Sequence, residues 1–345
     1  MRKFCVLLSL FIMSKCFADL GTENHGVILL YHHVATDTPP STSITPEDFR
    51  SHLEFLRDNN FSVIPLDEMI NGLREGSQLP DKSVAITFDD GYISIYETAF
   101  PMLQSFDFPF TLFLSTGPID RRQQNYMSWE QVREMSKAGV IIANHMVEHP
   151  YMLEKSSGES QTDWIKRQET ELLSAETRIE EETGQSHRYL AYPYGEFDTT
   201  IKSMLAENKF FGFAQNSGAI GVNSDFLALP RYPLASIYAD LETAQTKLET
   251  RAFNVKLIEP KSPVTTIRNP TVTLQFDPNE HNLSQIGCFA NSQPVPMNWI
   301  DRKNGLVKLE PAQIYEGRRW RYICTAPIPG ETRFYWYSVQ WIKPD

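Results

Sequence analysis

From residue 27 to residue 232 short apolar runs alternate with amphipathic stretches, and this alternation limits the fold more than any other feature of the sequence. Strand-like runs occupy residues 27–34, 61–65, 84–88, 110–115, 140–144, 189–192, 211–215 and 227–232, and a helix-period segment lies between most of them. The clearest helix signal is Thr45-Pro46-Glu47-Asp48: an N-cap, a proline at the first helical position and an acid in the first turn. Phe49, Leu53 and Leu56 follow on one face. A second segment runs from Asp163 through Trp164, Leu172 and Ile179 to a stop at Gly184. Six to eight such βα units imply a parallel sheet, and closure into a distorted (β/α) barrel is the economical α/β architecture.

The character of the chain changes near Glu259-Pro260-Lys261-Ser262-Pro263. Beyond it, strand-like runs at 271–276, 286–290, 320–325 and 334–341 are punctuated by Pro, Asn and Gly, the pattern of a small all-β sandwich. The N-terminus reads as a signal peptide over residues 1–18: Arg2 and Lys3, an apolar run from Phe4 to Met13, then small residues to Ala18. The expected division is thus signal 1–18, barrel 19–258 and β-sandwich accessory domain 262–345. A lipid anchor on Cys16 is disfavoured by Lys15, and the apolar run is too short to span a bilayer. The chain is expected to be exported, to the periplasm or beyond, with no integral membrane segment after cleavage. Cleavage would remove Cys5 and Cys16 and leave Cys288 and Cys324, which an oxidising compartment would join in one disulfide. It would also remove three positive charges and no negative one, taking the net charge from −11 to −14. So acidic a body argues against nucleic acid as a partner.

Two clusters can do chemistry. Thr87-Phe88-Asp89-Asp90-Gly91-Tyr92 is a buried-looking strand that ends in two acids and a glycine, at the strand end where barrels carry catalytic groups. Taken alone it reads equally well as an Asp-Gly turn. Adjacent strand residues point to opposite faces, so the two acids converge only if the strand breaks, which Gly91 permits. Neighbouring acids poorly supply the separation of about 5 to 9 Å that a glycosidase pair needs. One acid on a metal and one free as a base is the better division.

His145-Met146-Val147-Glu148-His149 follows another strand-like run and sets two imidazoles four residues apart, on one face if the segment is helical or tightly turned. Such pairs also arise by chance; Asp90 supplies a third ligand. Two histidines and one carboxylate leave positions open for water and a substrate carbonyl.

In order and spacing, the Asp89-Asp90-Gly91 cluster, His145-x-x-x-His149 and Tyr192-Pro193-Tyr194-Gly195 together resemble the NodB-type polysaccharide deacetylases of carbohydrate esterase family four, over roughly residues 25–255. The resemblance implies that Asp90, His145 and His149 bind a divalent metal, usually Zn2+. It makes Asp89 the base that deprotonates water at the metal, and Tyr194 the residue whose backbone N–H holds the oxyanion. Three departures stand out. Met146 replaces the serine or threonine usual after the first histidine. Ala191 replaces the arginine usual before Pro-Tyr-Gly, and Arg231 is the candidate to stand beside Asp89 instead. The family's late histidine has no counterpart, whereas Leu29-Leu30-Tyr31-His32-His33 ends the first strand. That placement resembles the circularly permuted poly-β-1,6-N-acetylglucosamine deacetylases and makes His32 the general acid, with His33 structural and His52 a surface or packing residue.

The implied function is hydrolysis of N-acetyl groups on an N-acetylglucosamine-containing polysaccharide, with release of acetate. An esterase on an O-acetylated polysaccharide and a catalytically silent carbohydrate-binding or assembly protein are the alternatives. The aromatic run Phe334-Tyr335-Trp336-Tyr337-Ser338-Val339-Gln340-Trp341 is read as sandwich core before sugar platform, and the partner of the C-terminal domain is left open.

Overall fold

The structure is a computed structural model and describes residues 24–344. The expected export signal, residues 1–18, lies outside the described residues; among these, no helix is long and apolar enough to cross a membrane.

Six parallel strands lie side by side in chain order: β1 (His25–Tyr31), β2 (Ser83–Phe88), β3 (Phe110–Leu114), β4 (Ile141–Asn144), β5 (Tyr189–Ala191) and β6 (Phe211–Phe213). Every residue of β1, β2, β3 and β4 is buried, because helices cover the outside while side chains fill the inside, so the strands read as continuous apolar runs. The sheet curls. Leu229 bridges to Phe213 of β6, and Tyr232 and Pro233 pair with Leu29 and Leu30 of β1, so a short irregular stretch joins the last strand to the first. This is the distorted barrel. The regular strand expected over residues 227–232 is reduced to that stretch, where Pro230 and Pro233 withhold backbone donors.

The helices follow their sequence signals. Thr45 Oγ1 accepts the Asp48 N–H at 3.0 Å and starts the helix Pro46–Asp58, whose Phe49, Leu53 and Leu56 are fully buried. Each such side chain contributes about 1.5–3 kcal/mol of burial. His52 shares that inner face, with Nδ1 3.0 Å from the Tyr31 hydroxyl, so it is a packing residue.

The C-terminal strands form two sheets over one apolar core. One contains β7 (Thr250–Ala252), β10 (Gly287–Ala290), β13 (Arg319–Pro327) and β14 (Phe334–Ile342), and the other β8 (Val255–Glu259), β9 (Val272–Phe276), β11 (Met297–Asp301) and β12 (Leu306–Leu309). Strands β7 and β8, on the barrel side of the expected boundary, hydrogen-bond into these sheets. Cys288 and Cys324 are disulfide-bonded and sit directly opposite each other on β10 and β13, so the bond joins neighbours in one sheet and does not bridge the two.

The aromatic strand β14 divides by its period of two. Tyr335, Val339 and Trp341 enter the sandwich core, while Trp336, Ser338 and Gln340 turn toward the barrel. There the Trp336 indole and the Ser338 hydroxyl donate to Ser217 O, and the Gln340 amide donates to Gly195 O. Arg318 makes a bidentate pair with buried Glu196 at 2.7 and 2.8 Å. The tail is thereby anchored beside the Pro193-Tyr194-Gly195 turn.

Candidate metal and catalytic centre

The centre lies at the C-terminal ends of β1, β2, β4 and β5. Beyond Phe88 the backbone turns left-handed at Asp90 (φ 75°) and Gly91 (φ 90°). That break swings the two acids to one side of the sheet. Aspartate tolerates this conformation better than most residues, and the turn is held by Ser115 N–H to Asp90 O and Met127 N–H to Gly91 O.

The histidine segment is a loop and not a helix, with left-handed backbone at Met146 (φ 65°) and His149 (φ 52°), and these two turns bring the imidazoles together. His145 is fully buried and held from three sides: its N–H donates to Leu114 O, its C=O accepts from Ser115 Oγ at 2.9 Å, and Nδ1 donates to Ala191 O at 2.7 Å. With the proton on Nδ1, the Nε2 lone pair faces inward. It meets Asp90 Oδ1 at 3.1 Å, and His149 Nε2 lies 3.3 Å from the same oxygen.

Asp90 Oδ1 and His145 Nε2 are both buried without a hydrogen-bond partner. Two facing lone pairs are repulsive unless a positive charge sits between them, and these ligand atoms, with that of His149, lie within 4.8 Å of one another. The residues present therefore fit a divalent metal. Electrostatics agree. Burial opposes ionisation of Asp90, yet His145, His32 and His149 hold its carboxyl well below the usual carboxylate range. Burial likewise opposes a second proton on His145, but Asp89 and Asp90 outweigh it and raise its pKa, so the pocket favours a cation at this point. Burial, then His145, pull His149 down to about 4, leaving the neutral imidazole that binds metals.

Asp89 has another environment. It is fully buried, and both oxygens are gripped by Arg231: Nη1 to Oδ1 and Nη2 to Oδ2, each at 2.7 Å. Arg231, also fully buried, spends its Nε–H on Ala214 O and reaches Thr87 Oγ1 at 3.3 Å. Burial pushes the Asp89 carboxyl up, but Arg231 and then His145 outweigh it and hold it below the usual range.

Tyr194 sits at the third rim with a left-handed backbone (φ 58°), its ring 4.4 Å from that of His149 and stacked on Tyr151 at 3.8 Å. His32 lies just past β1 at the fourth, half-buried and near enough for its charge to act on Asp89, Asp90 and His149. His33 is buried elsewhere, stacked on Tyr92 at 3.7 Å. All seven residues singled out from the sequence thus gather in one region, with Arg231 beside Asp89. Met146 points away into an apolar cluster with Met152, Trp164 and Tyr192.

Sequence reasoning missed several supports. Ser115 and the Ala191 carbonyl orient His145, Tyr151 carries Tyr194, and Arg319 lies over the Tyr194 ring at 5.7 Å and donates to its carbonyl. Backbone carbonyls carry no residue-type signal. Tyr151, two residues past His149, was the one support within reach of a motif search.

Comparison with known proteins gives a consistent family. The polysaccharide deacetylase family matches residues 76–212. A poly-β-1,6-N-acetyl-D-glucosamine N-deacetylase of Staphylococcus epidermidis is 27% identical over 228 residues, 61% of this chain and 78% of the relative. Among solved structures, IcaB from Ammonifex degensii aligns with a TM-score of 0.57 and 25% identity, covering 66% of this chain and 98% of its own. The Streptococcus pyogenes deacetylase PplD, solved with acetate, aligns at 0.59 with 23% identity, covering 66% and 99%, and shows the shared fold.

Proposed function

We propose that this chain, which carries a polysaccharide deacetylase domain and is a hydrolase of carbon–nitrogen bonds other than peptide bonds, removes N-acetyl groups from an N-acetylglucosamine-containing polysaccharide and releases acetate. The observation that carries the reading is the pair of bare, buried lone pairs on Asp90 Oδ1 and His145 Nε2 beside the fully buried Asp89–Arg231 pair. A simple binding site needs neither.

In this reading Asp90, His145 and His149 hold a divalent ion, Zn2+ by preference of a set with two imidazoles and one carboxylate. Bound there, the ion would lower the pKa of water and polarise the acetyl carbonyl. Asp89 takes the proton from the attacking water; Arg231 keeps it ionised and aims it by a two-point grip. The Tyr194 N–H donates to the oxyanion as the carbonyl carbon becomes tetrahedral, a contribution of about 2.7–4 kcal/mol for one such donor. His32 protonates the departing amine so that the C–N bond breaks to acetate and a glucosamine unit. Residues 19–258 are the proposed catalytic part and 262–345 the accessory part, with the strands Thr250–Ala252 and Val255–Glu259 lent to the accessory sheets. The chain is exported, by the signal-like pattern of residues 1–18.

The test is acetate release by the purified chain from β-1,6- and β-1,4-linked N-acetylglucosamine oligomers, before and after chelation and Zn2+ restoration. Release abolished by chelation, restored by zinc and lost in Asp90→Ala and His145→Ala is expected. Release that survives both substitutions would sink the mechanism.

A further inference from the structure

Beside the centre lies a second recess that the proposed chemistry does not use. A cavity of about 800 Å³ opens between the barrel and the C-terminal sheet. That is within the usual size of ligand clefts, about 300–1,000 Å³. Its floor is one face of β13 and β14, where the period of two brings Arg319, Arg321 and Ile323 up beside Trp336 and Gln340. Its far wall is the loop Pro233–Tyr238 and the helix Leu241–Leu248, which adds Lys247. Tyr194 closes the end nearest the metal ligands, so the cleft continues the rim of the centre.

Three of the side chains lining it are cations and none is an acid, although the whole chain is acidic, with a net charge of −11. Arg319 is spent on Tyr194 O and Glu196. Lys247 is only 7% exposed; its ammonium donates to Pro233 O and lies 4.8 Å from the Tyr238 ring centre. No carboxylate stands within ion-pairing distance of Arg321 or Lys247 among the described residues, and each feels the other's charge. Burial, then Arg321, pull the Lys247 pKa down to about 7 despite Asp240. Arg321 and the protonated Lys247 repel across one recess, only partly offset at Lys247 by Asp240, and an anion between them removes that repulsion and gains charge-assisted hydrogen bonds. The exposed side chains of Ile237 (77%) and Tyr238 (45%) offer an apolar edge on which a sugar ring can lie.

We propose that this cleft binds an acidic stretch of the polysaccharide substrate, holding a carboxylate or phosphate substituent between Arg321 and Lys247 while a neighbouring N-acetylglucosamine reaches the centre past Tyr194. The proposal rests on the deacetylase reading for the identity of the chain bound, but not for the anion site itself. It also gives the C-terminal sheet a role: without β13 the cleft has no floor and Arg321 has no position.

The test is calorimetric binding, without turnover, of three hexasaccharides to the full chain: neutral N-acetylglucosamine, N-acetylglucosamine alternating with glucuronate, and N-acetylglucosamine bearing phosphate. One acidic probe is expected to bind about ten-fold or more tightly than the neutral one, the scale of one charge-assisted contact. The tighter acidic probe identifies the substituent. Its advantage should shrink as salt rises from about 0.05 to 0.3 M, disappear in Arg321→Gln and in Lys247→Met, and persist in Arg321→Lys. Equal affinity for acidic and neutral probes, or acid-selective binding unchanged in the Arg321→Gln/Lys247→Met double variant, overturns the proposal. Acid-selective binding by a chain that, assayed separately with Zn2+ restored, releases no acetate from any of the three probes would instead sink the deacetylase reading and leave the anion site standing.

Discussion

Replacing Arg231 with methionine removes the guanidinium but keeps an apolar side chain of similar length in a site with no solvent. Asp89 then remains fully buried with both oxygens stripped of their 2.7 Å partners. Removing one member of a buried ion pair costs about 3–5 kcal/mol, because the surviving charge keeps its desolvation penalty. The donors to Ala214 O and Thr87 Oγ1 are lost as well, which places the expectation at the upper end. In a chain of this size, at about 2.1 cal/mol/K of unfolding entropy per residue, that is a fall in Tm of roughly 6–7 °C.

The pH dependence gives the sharper signature. In the native protein Asp89 has a depressed pKa, so its stabilisation is full above the unfolded value of about 3.9 and is lost as pH falls through the folded value. In Arg231→Met burial is opposed only by the charges of His145 and His32, and loss of the guanidinium is expected to lift the folded pKa above the unfolded one. The variant therefore regains stability as pH falls toward about 4 and Asp89 takes up a proton, by up to about 1.4 kcal/mol per pH unit. Urea unfolding of both proteins from pH 4 to 7 should show a gap widest at pH 7. The Asp89→Asn/Arg231→Met double variant should be more stable than Arg231→Met alone. A gap below about 1 kcal/mol at pH 7, or one that stays constant with pH, would refute the claim that Arg231 compensates a buried ionised Asp89.

Zinc at about a thousand times its dissociation constant should stabilise the protein by about 4 kcal/mol in thermal unfolding, and His145→Ala and Asp90→Ala should lose that shift. Met146→Ser, which places the family's usual residue type here, should cost about 2–3 kcal/mol in urea unfolding and leave zinc affinity no better, because the side chain sits among Met152 and Trp164 and not at the proposed metal ligands. Replacing Cys288 and Cys324 by alanine opens a link across a sequence separation of 36 and should lower stability by about 3–4 kcal/mol, read from the unfolding midpoint with and without reductant.

Much of the fold was legible because burial on both faces leaves a plain mark: β1 to β4 are continuous apolar runs, and Thr45-Pro46-Glu47-Asp48 starts its helix where capping chemistry says it should. Less visible were β7, β8, β11 and β12, which are short and half-exposed and take their form from neighbouring strands. The disulfide partners could be named from cysteine count, but their facing positions in a single sheet depend on strand register.

The same division runs through the centre. Local sequence determined which residue types could meet a metal, since Asp89, Asp90, His145 and His149 lie in two short segments at strand ends. Tertiary structure alone decided what surrounds each of them. Arg231, 142 positions from Asp89, reaches it because residues 229–233 carry the curled sheet from β6 back to β1, and no local pattern encodes that closure. The His145 tautomer is set by the Ala191 carbonyl, which every residue type carries equally. The cationic cleft exists only because β13 and the helix Leu241–Leu248 face each other across the join between the barrel and the C-terminal sheets. Composition and spacing select chemistry within reach of one turn or one strand, whereas charge compensation and cavities depend on the chain's return to itself.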